Sequence, residues 1–195
     1  MIKLSKELRL VSNSPRRQSL LRDAGYNFTV SPANIDENYP QAMDVWEVAR
    51  HLAKKKALAL SGSYPEDIIL AADTTVIYKN RILDKPINEA HACETLRQLS
   101  GTTHEVITGL AFICDNQLSI FHDSCKVYFN HLEEWEINHY VQNFKPYDKA
   151  GGYGIQEWIG LVGIGKIEGS FYNVMGLPVH LVHDYLKKFR EPING

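Results

Sequence analysis

Segments with strand character alternate with segments of helical spacing along nearly the whole chain, and two of the strand pairs sit next to each other as hairpins. That interleaving limits the fold to a mixed α/β sheet, because a purely parallel sheet would need a crossover between every pair of strands. Arg9 to Ser12 is predicted as a short strand running into Asn13-Ser14-Pro15, where Ser14 suits an N-cap and Pro15 the first helical position. That helix should end at Gly25, and Tyr26 to Val30 alternates like a second strand. Ser31 to Pro40 is loop by its content of Pro32, Asn34, Asp36, Asn38 and Pro40. Asp44 is placed to cap a helix with Val45, Val48, Ala49, Leu52, Ala53 and Leu60 on one face, closed by Gly62.

Asp67 to Ala72 is a continuous apolar strand, and Thr75 to Tyr78 with Lys79-Asn80-Arg81 and Ile82-Leu83 predicts a hairpin. Asn88 to Ser100 is helix, stopped by Gly101. Two β-rich runs between Glu105 and Phe129 meet at a turn, Asp115-Asn116, and Leu132 to Asn143 is an amphipathic helix. Lys145 to Met175 is predicted as strand and loop, ahead of a last helix opened by Pro178 and running to about Phe189. No low-complexity linker interrupts the 195 residues, so the expectation is one domain over 1–195.

With 44% hydrophobic and 23% charged residues, the chain can bury a core. A formal charge of -2 excludes a global positive field of the kind that gathers nucleic acid or an anionic membrane surface, so any anion must meet a local cluster. Cys93, Cys114 and Cys125 are odd in number and lack CxxC spacing, which fits buried thiols in a reducing compartment. Met1 to Leu10 lacks the apolar core of a signal peptide, and no run approaches the ~20 apolar residues of a membrane span. The expected location is cytoplasmic.

Ser12-Asn13-Ser14-Pro15-Arg16-Arg17 puts two arginines into the first turn of a helix, where free N–H groups and the positive pole of the helix already sit. A bound phosphate would offset that, and hydroxyls, amides and guanidinium forks are the donors a polyphosphate requires. Arginines tied to nearby carboxylates are the alternative reading. Asp73, directly after the apolar strand, is costly unless it ends the strand or is charge-paired; there it could hold Mg²⁺ or activate a water. A turn or cap aspartate is the alternative. Asp36-Glu37 would complete a hard-cation site if the loop approached Asp73. Among the lysines, Lys56 in Lys54-Lys55-Lys56 and Lys85 in Asp84-Lys85-Pro86 could neutralise phosphate or simply solubilise. Gln156 follows the glycine-rich turn Gly151-Gly152-Tyr153-Gly154-Ile155, and its amide complements N3–H and O4 of uracil or thymine, although a loop glutamine can equally bond to backbone. Gly160 to Lys166 fits the first seven positions of a Walker A pattern, but Ile167 stands where its hydroxyl is needed, so the segment is expected to be strand.

Seven blocks in order resemble the Maf family of nucleoside triphosphate pyrophosphatases, the septum-formation-inhibitor-like proteins. They are Ser12-x-Ser14-Pro15-Arg16-Arg17, Leu52-Ala53-x-x-Lys56-Ala57, Ala72-Asp73-Thr74-x-Val76, Lys85-Pro86, Leu99-Ser100-Gly101-x-x-His104, Lys149-Ala150-Gly151-x-Tyr153-Gly154-Ile155-Gln156 and Asn173-Val174-x-Gly176-Leu177-Pro178. The resemblance implies a twisted mixed β-sheet with flanking helices in two lobes, a nucleotide cleft between them, a divalent cation (Mg²⁺ or Mn²⁺) and, frequently in the family, a homodimer. It implies that Asp73 is the catalytic acidic residue, that Glu37 assists the metal, and that Ser12, Arg16, Arg17, Lys56 and Lys85 hold the triphosphate. Arg16, Thr74 and Gln156 fall where the family sets base preference. The subgroup with glutamine in the Tyr-Gly-Ile-Gln block prefers dTTP and UTP, whereas the 7-methyl-GTP subgroup typically carries glutamate there. Asp84 stands where glycine is usual, and Glu157-Trp158 where small residues are common. The expected reaction converts a nucleoside triphosphate to the monophosphate and pyrophosphate. The alternatives are a nucleotide-sensing regulator of cell division without turnover and a pyrophosphatase directed at 7-methyl-GTP or at inosine and xanthosine triphosphates.

Overall fold

The computed structural model describes residues 1–192, and among them seven strands form one mixed sheet. The strands are β1 (Leu8–Val11), β2 (Thr29–Val30), β3 (Ile68–Tyr78), β4 (Arg81–Ile82), β5 (Thr103–Cys114), β6 (Gln117–Phe129) and β7 (Ile164–Glu168). Their order is β2-β1-β3-β5-β6-β7, with β4 paired to β3. β1 runs parallel to both β2 and β3, with Leu10 opposite Leu70, while the β3/β4 and β6/β7 pairs are antiparallel. The sheet is therefore mixed, and it is flanked by α1 (Pro15–Asp23), α2 (Val48–Ser61), α3 (Glu89–Leu99), α4 (Glu134–Phe144), α5 (Trp158–Val162), α6 (Phe171–Met175) and α7 (Val179–Leu186).

Local chemistry sets several of these boundaries. Ser14 Oγ accepts from the Arg17 N–H at 3.4 Å with Pro15 opening α1, and Asn88 Oδ1 accepts from the His91 N–H at 2.9 Å to start α3. Asp115 and Asn116 take φ of 52° and 59°, and Lys79 and Asn80 take 48° and 59°, the left-handed pairs that a two-residue hairpin turn requires.

The chain divides into two compact units, one comprising Met1–Asp73, Thr108–Asp123 and Gly176 onward, the other Thr74–Ile107 and Ser124–Met175. In the first, Val11, Ile69, Ala71, Ala111 and Ile113 pack with Ala53 and Ala57 of α2. Approach is so close that a Cβ on Gly109 would lie 2.5 Å from the carbonyl of Ala49, so only glycine fits. Phe112, pointing to the other face, stacks on Tyr185 of α7 with ring centroids 3.9 Å apart. In the second unit, Val76, Val127 and Phe129 meet Leu96 and Leu99 of α3, Ile137, Tyr140 and Val141 of α4, and Tyr153 and Ile155.

Several expectations are corrected. The strand over 26–30 shortens to Thr29–Val30, and Tyr26 instead makes an isolated bridge to Ile2. Asp44 does not cap α2: its carboxylate accepts from the Trp46 N–H at 3.1 Å in a preceding turn, and Glu47 occupies the N-cap position without a side-chain bond. The strand ending at Ala72 and the hairpin arm beginning at Thr75 are a single eleven-residue strand, which places Asp73 in a strand interior. Gly160 to Lys166 is not one strand but part of the helix α5 followed by β7, and a Cβ on Gly160 would lie 1.8 Å from the Ile155 carbonyl oxygen. Phe171–Met175 is helix where strand and loop were expected.

Candidate active site

The first unit gathers the charged residues around β3. β1 ends at Val11, and the buried Ser12 turns its Oγ to accept from the Ser14 N–H at 3.1 Å, so the hydroxyls at 12 and 14 shape the entry to α1. Arg16 and Arg17 follow, half-buried, with no acidic residue in that first turn. Arg17 Nε donates to the Gly176 carbonyl at 2.8 Å. Its guanidinium pKa is held below the ordinary value, first by burial and further by Arg16, while Asp73 and Glu37 oppose the shift. Arg17 thus stands in the field of both carboxylates.

Asp73 shares its face of β3 with Ile69 and Ala71, the face that α2 covers. An isolated carboxylate there would cost several kcal/mol. α2 supplies the partner. Leu52, Ala53 and Ala57 bury its inner stripe, and Lys56, three and four residues beyond Ala53 and Leu52, extends the same stripe. Its Nζ lies 2.5 Å from Asp73 Oδ1 and 2.8 Å from Glu37 Oε1. Asp36 takes no part in this contact. Its Oδ1 accepts from the Asn38 N–H at 3.0 Å and its Oδ2 from Asn38 Nδ2 at 2.7 Å, which folds it back into its own loop. Lys55 Nζ donates to the Asn38 carbonyl at 3.2 Å and ties that loop to α2.

Thr74, Lys85 and Gln156 belong to the second unit. Thr74 projects from β3 to the face opposite Asp73. Lys85 is exposed in the segment after β4, and the Gly151 N–H donates to the carbonyls of Leu83 at 3.0 Å and Asp84 at 3.3 Å. Gly151 has φ of 69°, and a Cβ there would meet Val76 at 2.9 Å. The loops bearing Lys85 and Gln156 are thereby joined. Gln156 itself is exposed, at the third position of a turn closed by the Glu157 N–H donating to the Gly154 carbonyl at 3.0 Å.

Two residues of this unit carry more structure than their motifs announced. Lys149 lies within a recognised block and is buried, with Nζ 3.1 Å from Glu157 Oε1 and 2.7 Å from Asp148 Oδ1. Tyr140, visible in the sequence only as an apolar position of a helix, donates its hydroxyl to Glu157 Oε2 and accepts from the Gly154 N–H at 2.9 Å. Trp158 meets His139 edge-on, with ring centroids 4.8 Å apart.

Fold and cluster together define a mixed α/β protein with a largely buried lysine–aspartate pair, Lys56 and Asp73, at the middle of β3. The chain belongs to the Maf-like protein family, which residues 7–189 match. It is 47% identical to a dTTP/UTP pyrophosphatase of Cytophaga hutchinsonii, over 94% of this chain and 84% of that one. It is 45% identical to a protein of that name from Porphyromonas gingivalis, over 93% and 94% of the two chains, and 42% identical to one from Flavobacterium johnsoniae, over 91% and 92%. No described helix is long and apolar enough to cross a membrane.

Proposed function

We propose that this chain hydrolyses nucleoside triphosphates, with dTTP and UTP preferred, to the monophosphate and pyrophosphate. The observation that carries the reading is the Lys56 ammonium held between Asp73 and Glu37, with Arg17 in the field of both carboxylates. Such a cluster matches a metal-bound polyphosphate in both signs of charge: cations for the phosphate oxygens, carboxylates for the metal and for a proton.

A divalent cation fits the donors. Asp73 and Glu37 are hard oxygen ligands already converging on one positive charge, the ammonium. No group of three His, Cys, Asp or Glu side chains gathers among the described residues, so phosphate oxygens and water would complete a coordination sphere of the kind Mg²⁺ or Mn²⁺ accepts. When bound, the cation supplies Lewis acidity at the phosphate oxygens.

In the reaction, a water oxygen forms a bond to the α-phosphorus as the bridging bond from the α-phosphorus to the β-phosphate oxygen breaks. Asp73 accepts the proton of the attacking water, and the electron pair of the broken bond leaves with pyrophosphate. Ser12, Arg16, Arg17, Lys56 and Lys85 hold the triphosphate, and the positive charge of the arginines and lysines stabilises the departing group. Arg16, Thr74 and Gln156 set the base preference, the Gln156 amide matching the imide edge of uracil or thymine. The working compartment is the cytoplasm, where the substrates and the reduced cysteines are both found.

The test is a panel of dTTP, UTP, CTP, GTP, 7-methyl-GTP, ITP and XTP with Mg²⁺ or Mn²⁺, following monophosphate and pyrophosphate. Fastest release from dTTP or UTP is expected. Binding with no release from any nucleotide would replace the enzyme with a sensor, and faster release from a purine nucleotide would overturn the base assignment.

A further inference from the structure

A carboxamide alone does not distinguish uracil from cytosine. Uracil presents N3–H beside O4, cytosine presents N3 beside its exocyclic amine, and rotating the amide by 180° exchanges donor for acceptor to suit either. Gln156 can select the imide edge only if something holds the direction of its amide. In the second unit, that something is present.

The turn carrying Gln156 is fastened at both ends by one side chain. The fully buried Tyr140 accepts from the N–H of Gly154, the first residue of the turn, and donates to the carboxylate of Glu157, the last. The buried Lys149 holds the other Glu157 oxygen at 3.1 Å. The position a Cβ would take on Gly154 lies 2.9 Å from Glu157 Oε2 and 3.0 Å from Gln156 Nε2. The missing methyl of Gly154 therefore leaves room that the carboxylate and the amide nitrogen share. A carboxylate there attracts the amide N–H groups and repels the amide oxygen, so it opposes the rotated arrangement.

We infer that Glu157, fastened by Tyr140 and Lys149, is a positioning residue that fixes the direction of the Gln156 amide and so makes the site favour uracil and thymine over cytosine. The inference rests on the proposed reading of Gln156 as the base-contacting residue.

The measurement is the ratio of kcat/KM for UTP to that for CTP in the full chain, for wild type, Tyr140→Phe, Glu157→Ala, Gln156→Ala and the double variant Gln156→Ala/Glu157→Ala. Circular dichroism and thermal melting confirm folding, and Tyr140→Phe keeps the ring that the core needs. The ratio should fall about tenfold in Tyr140→Phe and in Glu157→Ala, as expected when a specificity hydrogen bond loses its fixed geometry. Glu157→Ala should change nothing further once Gln156 is absent, since residues acting as a unit are not additive. A ratio unchanged in Tyr140→Phe and Glu157→Ala, or equal losses on both substrates, would reduce Glu157 to a structural role and overturn the inference. Should wild type turn over no nucleotide, the catalytic reading fails separately, and the same ratio taken from UTP and CTP dissociation constants decides the positioning role.

Discussion

Lys56 on α2 and Asp73 in the interior of β3 stand 2.5 Å apart, Nζ to Oδ1, and both side chains are largely withdrawn from solvent. Seventeen residues separate them in the chain, and the pairing depends on α2 lying flat against the strand. Glu37 reaches the same ammonium from a loop at 2.8 Å. Two carboxylates share one lysine, so removing Lys56 takes the counter-charge from both, whereas removing either carboxylate leaves a lysine–carboxylate pair.

Asp73→Asn keeps the shape of the side chain and removes both the proton acceptor and one anionic ligand. Pyrophosphate release from dTTP or UTP should fall by roughly 10²-fold or more. Near-normal release, measured under saturating Mg²⁺ and Mn²⁺, would remove Asp73 from the mechanism.

Lys56→Met leaves the Asp73 carboxylate buried beside Glu37 without its ammonium. Breaking a buried pair in this way costs on the order of 3 kcal/mol, readable as a lowered urea midpoint. Because the two carboxylates would then be open to another cation, added Mn²⁺ should raise the melting temperature of the variant more than that of wild type. Equal responses would argue against a divalent cation at this pair.

His104 provides a pH test of the second unit. It is buried, with Nε2 2.7 Å from the Tyr153 hydroxyl, and burial pushes its pKa down to about 4 from 6.5. Between those values the unfolded chain binds a proton that the folded chain refuses, so stability falls as pH drops from 6.5 towards 4 and the loss levels off below. The contribution is about 3 kcal/mol across that window. His104→Gln should flatten this part of the profile in denaturant titrations at pH 7 and pH 4.5; an unchanged slope would mean the imidazole is not the group responsible.

Gly109→Ala would drive a methyl into the backbone of α2 at Ala49. A destabilisation of roughly 1–3 kcal/mol is expected from the forced separation. Since α2 carries Lys56, activity should drop even at temperatures where the variant remains folded. Full activity at unchanged stability would show that the helix yields without cost.

Much of the fold was legible because its signals are local. Ser14-Pro15 and Asn88 announce helix starts through side-chain capping, and Asp115-Asn116 tolerates the left-handed backbone its hairpin needs. Asp44 misled, since an aspartate bonds as readily within a turn as at a helix start, and both choices have the same sequence appearance. The break expected at Asp73 rested on the cost of a charge inside a strand. Lys56, remote in sequence, removes that cost, so the strand continues to Tyr78.

The sequence by itself determined the alternation of elements, the class of sheet and the residue types from which a polyphosphate site can be drawn, because periodicity and capping act over a few residues. Tertiary structure alone decided that Glu37 rather than Asp36 meets Lys56, that Thr74 faces away from Asp73, and that Tyr140 and Lys149 hold Glu157 beside Gln156. Those choices depend on direction and distance between segments far apart along the chain. Charges interact according to where packing places them, and packing is settled by the whole core at once.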